Sequence, residues 1–324
     1  RETLKLEEEV LGENHPYTFE TLNNLSRLLE DLGKNEEAYE IYKIGFNRRN
    51  TFFDRVLWVA GDNTRQSYIK LHKPEQDAYI RMLLSLDDER TAVDLLDVIL
   101  QRKGMLLKIT SETHQVVMLS GSSELQEITE KLTEGRKKLA ALTLAGPTDE
   151  NRDQFGKMVY DLEEQVNNYQ LELGKQSVRF RQSTQKIQID DVLSGLNESA
   201  LVDFLTFRKK DDSLALLAIV ANEEGLNVIQ YEDLEMIQAI IKELIEIIQD
   251  EGAEDEDVKS VAYDLWEILW SPLNEYLGET ESIFISPDGV LNVLPFDALT
   301  DEDESYLLEN YDLKIISSAR DLAL

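Results

Sequence analysis

LVDFLTFRKKDDSLALLAIVANEEGLNVIQY, residues 201–231, is where the periodicity of this chain changes. Leu201–Leu205 and the continuous apolar run Leu214–Ala221 read as strands. The unbroken apolar character of the second run predicts a strand buried on both faces, as in a sheet covered by helices. Val228–Tyr231 reads as a third, shorter strand reached through Glu224-Gly225. Downstream, Leu234, Ile237, Ile240, Ile241, Leu244, Ile245 and Ile248 recur at helical spacing, and a second helix is predicted from about Asp257. Ser271-Pro272 starts or kinks a further turn, and Ile283–Ile285 and Leu313–Ile316 supply two more strands. Strands alternating with helices define an α/β layered domain over residues 187–324.

Upstream the pattern is helical throughout. Phe19, Leu22, Leu25, Leu28, Leu29 and Leu32 fall on one face, Gly33 ends that helix, and Glu36–Phe46 begins a second in which Ala38 permits close approach. Two short helices cannot bury both apolar faces alone, so residues 1–50 imply stacked neighbours. Residues 51–186 show no strand. Helical patterns begin at Phe53, at Ile80 and at Ala92, the last capped by Asp87 or Asp88 and stopped near Gly104. Segments 123–144 and 149–183, separated by Ala145-Gly146-Pro147-Thr148, read as an antiparallel hairpin whose second arm carries Phe155, Leu162, Val166, Tyr169 and Leu173 in a stripe. The fold class is therefore α + α/β.

The 324 residues carry 65 Asp and Glu against 33 Lys and Arg, a net charge of −32, with three histidines and no cysteine. Between residues 190 and 312 the balance is 32 acidic to five basic, or −27, so the acidity belongs to the α/β region. Such a field repels phosphate backbones and anionic lipid, and neither direct nucleic-acid nor membrane binding is expected. No apolar run reaches a membrane span's length, and a cytoplasmic location is expected. Without cysteine, residues 1–324 hold no disulfide, thiolate metal site or thiol nucleophile. The chain starts at Arg1 inside a charged amphipathic stretch and reads as a piece of a longer protein.

Two stretches carry resemblances. Leu6–Phe46, LEEEVLGENHPYTFETLNNLSRLLEDLGKNEEAYEIYKIGF, resembles the tetratricopeptide repeat (TPR) of the kinesin-light-chain type through Leu11-Gly12, His15-Pro16, Thr21–Leu25, Gly33 and Glu37-Ala38. Residues 1–11 then read as the second helix of a preceding repeat. The resemblance implies a protein-binding scaffold. ALVDF (200–204), LAIV (217–220), LWSPL (269–273), IFISPDGVLNVLPFDAL (283–299) and YLLENYDLKIISSARDL (306–322) resemble the CHAT domain, a caspase-like peptidase domain found attached to such repeats. KIQIDDVLSGL (186–196) and the Lys103-Gly104 turn are similar to it as well.

The CHAT resemblance implies a cysteine peptidase in which a thiolate beside a histidine attacks a peptide carbonyl. It also implies that this dyad follows two core strands beyond Leu324, so the chain is expected to be the first half of that domain, inactive alone. Its expected partners are a protein on the repeat and helical surface, the protein substrate of the parent peptidase, and the catalytic half of the same protein. A non-catalytic scaffold and an acidic nucleic-acid mimic are the alternatives.

No catalytic, cofactor-binding or metal-ligating residue is assigned. His15, before Pro16, reads as setting the entry to the next helix, Trp58 and His72 as core and surface residues, and His114 as helical. Asp288 and Asp297 read as turn formers, Asp321 as a cap, and Ser317-Ser318 as a strand-end pair with no histidine base. Asp250, Glu251, Glu254, Asp255, Glu256 and Asp257 lack EF-hand spacing and read as a solvated loop. Arg179-Phe180-Arg181, with Lys175 and Lys186, faces solvent or carboxylates rather than nucleic acid.

Overall fold

The computed structural model describes residues 1–60, 62–86, 88–177, 180–181, 186–250 and 252–323, with nothing of the Asp62 side chain. Two compact units emerge: residues 1–86 with 104–186, and residues 87–103 with 187–324.

The first unit is helical, with no strand among its described residues. It contains α1 (Glu2–Leu11), α2 (Pro16–Asp31), α3 (Asn35–Val56), α4 (Asp62–Leu71) and α5 (Lys73–Leu86), while α6 (Glu89–Arg102) belongs to the other unit. It continues with α7 (Met105–Ser120), α8 (Gln126–Ala145) and α9 (Phe155–Gln176). His15 caps α2 by accepting a hydrogen bond from Tyr17 N–H at Nδ1, and Pro16 occupies the first turn, where its missing donor costs nothing. Phe19, Leu22 and Leu29 are buried, together with Thr18 and Ser26, whereas Leu28 and Leu32 are exposed. The apolar stripe expected from sequence was thus too wide, and the core-facing strip is the row 18–19, 22, 26, 29.

Gly33, with φ of +71°, closes the α2–α3 turn. α3 then runs unbroken to Val56, so the pattern expected to begin at Phe53 is its continuation, and Phe52, Phe53 and Val56 are buried on it. In α9, Val159, Val166 and Leu173 are buried, and Phe155, Leu162 and Tyr169 pack beside them against Leu132 and Leu139 of α8. A Cβ on Gly135 would meet Val166 Cγ2 at 3.2 Å, which measures how closely α8 and α9 approach.

The second unit is a five-stranded mixed sheet. β1 (Ala200–Arg208), β2 (Leu214–Asn222), β3 (Gly225–Tyr231), β4 (Ser282–Ser286) and β5 (Asp312–Ile315) lie in the order β3-β2-β1-β4-β5. β1, β2 and β3 pair antiparallel, whereas β1, β4 and β5 run parallel. The crossover from the hairpin strands to β4 is built from α11 (Leu234–Gln249), α12 (Asp255–Leu265), a π turn at Trp266–Trp270 and α13 (Ser271–Leu277).

Those helices cover one face of the sheet, packing against Ala200, Val202, Phe204, Leu216, Ala218 and Val220. The opposite face is met by α6 (Glu89–Arg102) and α10 (Ile189–Leu196). Burial of β2 on both faces, expected from its unbroken apolar run, follows from these two helical layers. α6 starts at the expected Asp88 cap, whose carboxylate accepts from Arg90 N–H at 2.9 Å; Asp87 lies outside the described residues. No helix among the described residues is long and apolar enough to cross a membrane.

Candidate functional site

In sheets with parallel strands, reactive and ligand-binding groups gather beyond the strands' carboxyl ends. In this unit that location is the end of β4 and β5 beside the middle of β1. Asp203 of β1 stands opposite Ser286, the last residue of β4, and both are fully buried. A carboxylate without water must find charge or donors nearby, and Lys103 supplies them. Its ammonium lies 2.5 Å from Asp203 Oδ1 and donates also to the carbonyl oxygens of Phe204 and Ser286, each at 2.9 Å. One cation therefore bridges α6 to two neighbouring parallel strands.

Further ties converge on the same corner. Ser318 Oγ, after β5, donates to the Lys103 carbonyl at 3.4 Å, and Arg320 Nη1 donates to the Leu100 carbonyl at 3.2 Å. Asp321 holds the turn by accepting from the backbone N–H groups of Ser317 and Ser318. Burial pushes the Asp203 carboxyl above its ordinary range, and the Lys103 charge beside it pulls it partly back.

Chemically this corner is a clamp. The three protons of the Lys103 ammonium are all given to acceptors, so the group has none to spare for a substrate. Ser286 and Ser318 have no histidine beside them, because the last histidine in the sequence is His114. The arrangement fixes the strand ends and shapes a platform; it does not itself activate a nucleophile.

The remaining candidates are dispersed. Asp288 is more than a turn former: its Oδ2 accepts from Thr206 N–H at 2.6 Å, tying the segment after β4 to β1. The adjoining Gly289 has φ of +56°, and a Cβ there would stand 3.0 Å from Thr206 Oγ1. Asp297 is exposed in a short 3-10 turn at Phe296–Ala298. Asp255, Glu256 and Asp257, expected in a loop, form the first turn of α12, where the helix dipole favours acids. Glu251 and Arg179 lie outside the described residues. Phe180 is fully buried in the α8–α9 core, so it offers no stacking face to a base.

All three histidines belong to the helical unit. His72 packs edge-on against Phe19, Phe52 and Phe53, and His114 is exposed. His15 borders a cleft of about 460 Å³ with Gly12, Arg55, Phe155, Tyr160 and Glu163. Arg55 donates to Glu163 Oε1 through Nε at 2.8 Å, with Nη2 at 2.6 Å, which fixes one wall of that cleft.

Lys103 was visible in the sequence only as part of a turn, and Asp203 only as an interruption in an apolar strand. A lone acid inside a two-sided buried strand is the signal that could have found the pair, since it must have a cationic partner somewhere in the fold.

Against known proteins, the family model described as the CHAT domain matches residues 259–324, about a fifth of the chain. The matched segment holds most of α12, α13, β4, both 3-10 turns after it, α14 (Leu307–Asn310), β5 and the Ala319–Ala323 turn. No curated protein matches the chain.

Proposed function

We propose that residues 187–324 are the N-terminal part of a caspase-like CHAT peptidase domain. Residues 1–50 are a tetratricopeptide-type repeat which, with the helical region over 51–186, receives a protein partner that controls proteolysis. The observation that carries this reading is the CHAT match over residues 259–324, the segment supplying the two strands that lie parallel to β1. The helical half rests on the α2–α3 pair with its His15-Pro16 entry and Gly33 turn, and on the cleft beside His15 as a place for a partner's chain.

Peptide cleavage in this class needs a thiolate and a histidine. Residues 1–324 contain no cysteine, so the reading assigns both groups to sequence outside them and gives the strand-end clamp a positioning role. The protein substrate and the catalytic half of the same protein are its further partners, and its location is cytoplasmic. The complete protein, incubated with a peptide library and with candidate partners of the helical region, is expected to cleave only when a partner is added. Cleavage of equal rate without any partner contradicts the regulatory half of the proposal.

A non-catalytic scaffold is the second reading. It is favoured by one observation: the strand ends hold a saturated Lys103 ammonium where an open, base-activated group would be needed for chemistry.

A further inference from the structure

Helix α7 buries the row Met105, Ile109, Glu112 and Val116. On its opposite face Leu107, Thr110, His114, Val117 and Met118 are exposed, Leu107 at 57%, Val117 at 62% and Met118 at 63%. A single exposed leucine is ordinary, whereas three large apolar side chains on one outward face of a 16-residue helix form a patch. That face also carries no ionic group. The two charged residues of α7, Lys108 and Glu112, pair with each other at 3.8 Å, and Glu112 is buried against Arg136 of α8.

The order of side chains along this face selects the partner. Leu107, Ser111, His114 and Met118 follow at spacings of four, three and four, the seam of a helix that packs lengthwise on another. This seam is symmetric about the point between Glu112 and Thr113. Laid antiparallel on an identical helix, Leu107 of each copy meets Met118 of the other, and Ser111 meets His114, with the small Ser111 letting the axes approach. Charge points to the same occupant. Two chains of net charge −32 repel through their acidic surfaces and least through a face without ionic groups. A lipid surface fits worse, because a helix lying on a membrane needs cations on its polar side and the one lysine of α7 is tied to Glu112.

We infer that α7 is an isologous dimer contact, through which two copies of this chain pair about a two-fold axis with their α7 helices antiparallel. The 16 residues span about 24 Å. One helix face of that length falls short of the roughly 800 Å² per partner of a standard interface. The dimer is accordingly weak, with a Kd on the order of 10–100 µM, and pairs copies only where they are concentrated. The inference stands on α7 alone and holds whether or not the chain belongs to a peptidase.

The test is sedimentation velocity of the full chain at loadings from about tenfold below to about tenfold above that Kd, in about 150 mM salt, where charges farther apart than about 8 Å are screened. The average mass is expected to rise from monomer toward dimer. Leu107→Glu with Met118→Glu sets carboxylates against each other across the seam and is expected to weaken pairing about tenfold or more. Both positions are exposed, so the urea midpoint is expected to stay that of the wild type. Leu28→Glu with Leu32→Glu, equally exposed on α2, adds the same charge elsewhere and is expected to leave pairing unchanged. The cysteine-free chain also allows the register to be read by thiol crosslinking. A mixture of Leu107→Cys and Met118→Cys chains is expected to crosslink with a short bismaleimide and neither variant by itself, because like positions stand about 16 Å apart along the axis. A wild-type chain that stays monomeric, undiminished pairing in the α7 glutamate variant, equal weakening by the α2 control, or crosslinks as abundant within one variant as in the mixture each overturns the inference.

Discussion

The Lys103 ammonium sits 2.5 Å from Asp203 Oδ1 while also holding the carbonyls of Phe204 and Ser286, so a residue that precedes β1 by almost a hundred positions locks two parallel strands together. Lys103→Met leaves the Asp203 carboxylate buried without its counter-charge and is expected to cost about 3–5 kcal/mol. The double variant Lys103→Met, Asp203→Leu removes both charges and is expected to recover most of that loss. Urea unfolding followed by the fluorescence of Trp266 and Trp270, both in this unit, measures the difference. A single-variant cost below about 1 kcal/mol would mean the pair behaves as an exposed one.

A pH effect is expected at the start of α2. His15 accepts Tyr17 N–H at Nδ1, which requires that nitrogen unprotonated, and partial burial lowers the His15 pKa despite the opposing charge of Glu7. A histidine whose folded pKa lies below its unfolded one contributes stability in full above the unfolded value of about 6.5. That contribution is lost as the pH falls from about 6.5 to the lower folded pKa, because in that window only the unfolded chain gains the proton. An NMR titration of the His15 ring is expected to show the depressed midpoint, and His15→Ala is expected to remove the cap's pH dependence at a cost of about 0.5–1 kcal/mol. A midpoint above 6.5 would contradict the burial of this ring.

Three glycine-to-alanine changes separate backbone strain from collision. Gly33, at φ of +71° with open space around it, pays only for its conformation, about 1 kcal/mol. Gly289, at φ of +56° and with Thr206 Oγ1 at 3.0 Å from the added carbon, pays both and is expected to lose about 2–3 kcal/mol. Gly195 has an ordinary helical backbone, but its added carbon would collide with the Leu322 carbonyl oxygen, so Gly195→Ala must displace the Ala319–Ala323 turn. Faster amide hydrogen exchange over residues 319–323 in that variant, absent in Gly33→Ala, is the expected signature.

Asp288→Ala deprives Thr206 N–H of its acceptor and is expected to destabilise the sheet unit by about 1–3 kcal/mol, with Asp288→Asn, which keeps an acceptor oxygen, closer to wild type. Equal losses for the two variants would show that the negative charge, rather than the hydrogen bond, matters there.

The strands were readable in advance because their signals are local. Leu214–Ala221 is an unbroken apolar run, and the glycine and acidic residues at Glu224-Gly225 mark the turn after it, so five strands could be placed within a few residues. What escaped was set by distant contacts. Nothing in Ala92–Leu100 tells whether that amphipathic helix packs on other helices or on a sheet; its neighbours β2 and β3 lie more than a hundred residues later. Leu28 and Leu32 satisfy helical spacing as well as Leu29 does, and only the packed fold distinguishes the exposed pair from the buried one. At the candidate site, Asp288 and Asp321 were recognisable as local backbone ligands, but the bond from Asp288 to Thr206 spans two strands and the Lys103 clamp spans α6, β1 and β4. The pattern expected to begin at Phe53 continues α3, because Arg49 in the polar stretch before it is buried and donates to the Phe19 carbonyl rather than ending the helix.

Thiol chemistry tests the peptidase assignment most directly. The complete protein, treated with an electrophilic peptide probe in the presence of a partner of the helical region, is expected to be labelled at one cysteine outside residues 1–324, with labelling and cleavage lost together when that cysteine is replaced. Residues 1–324 alone are expected to take no label, having no cysteine. Cleavage that survives replacement of every cysteine in the complete protein would contradict the account.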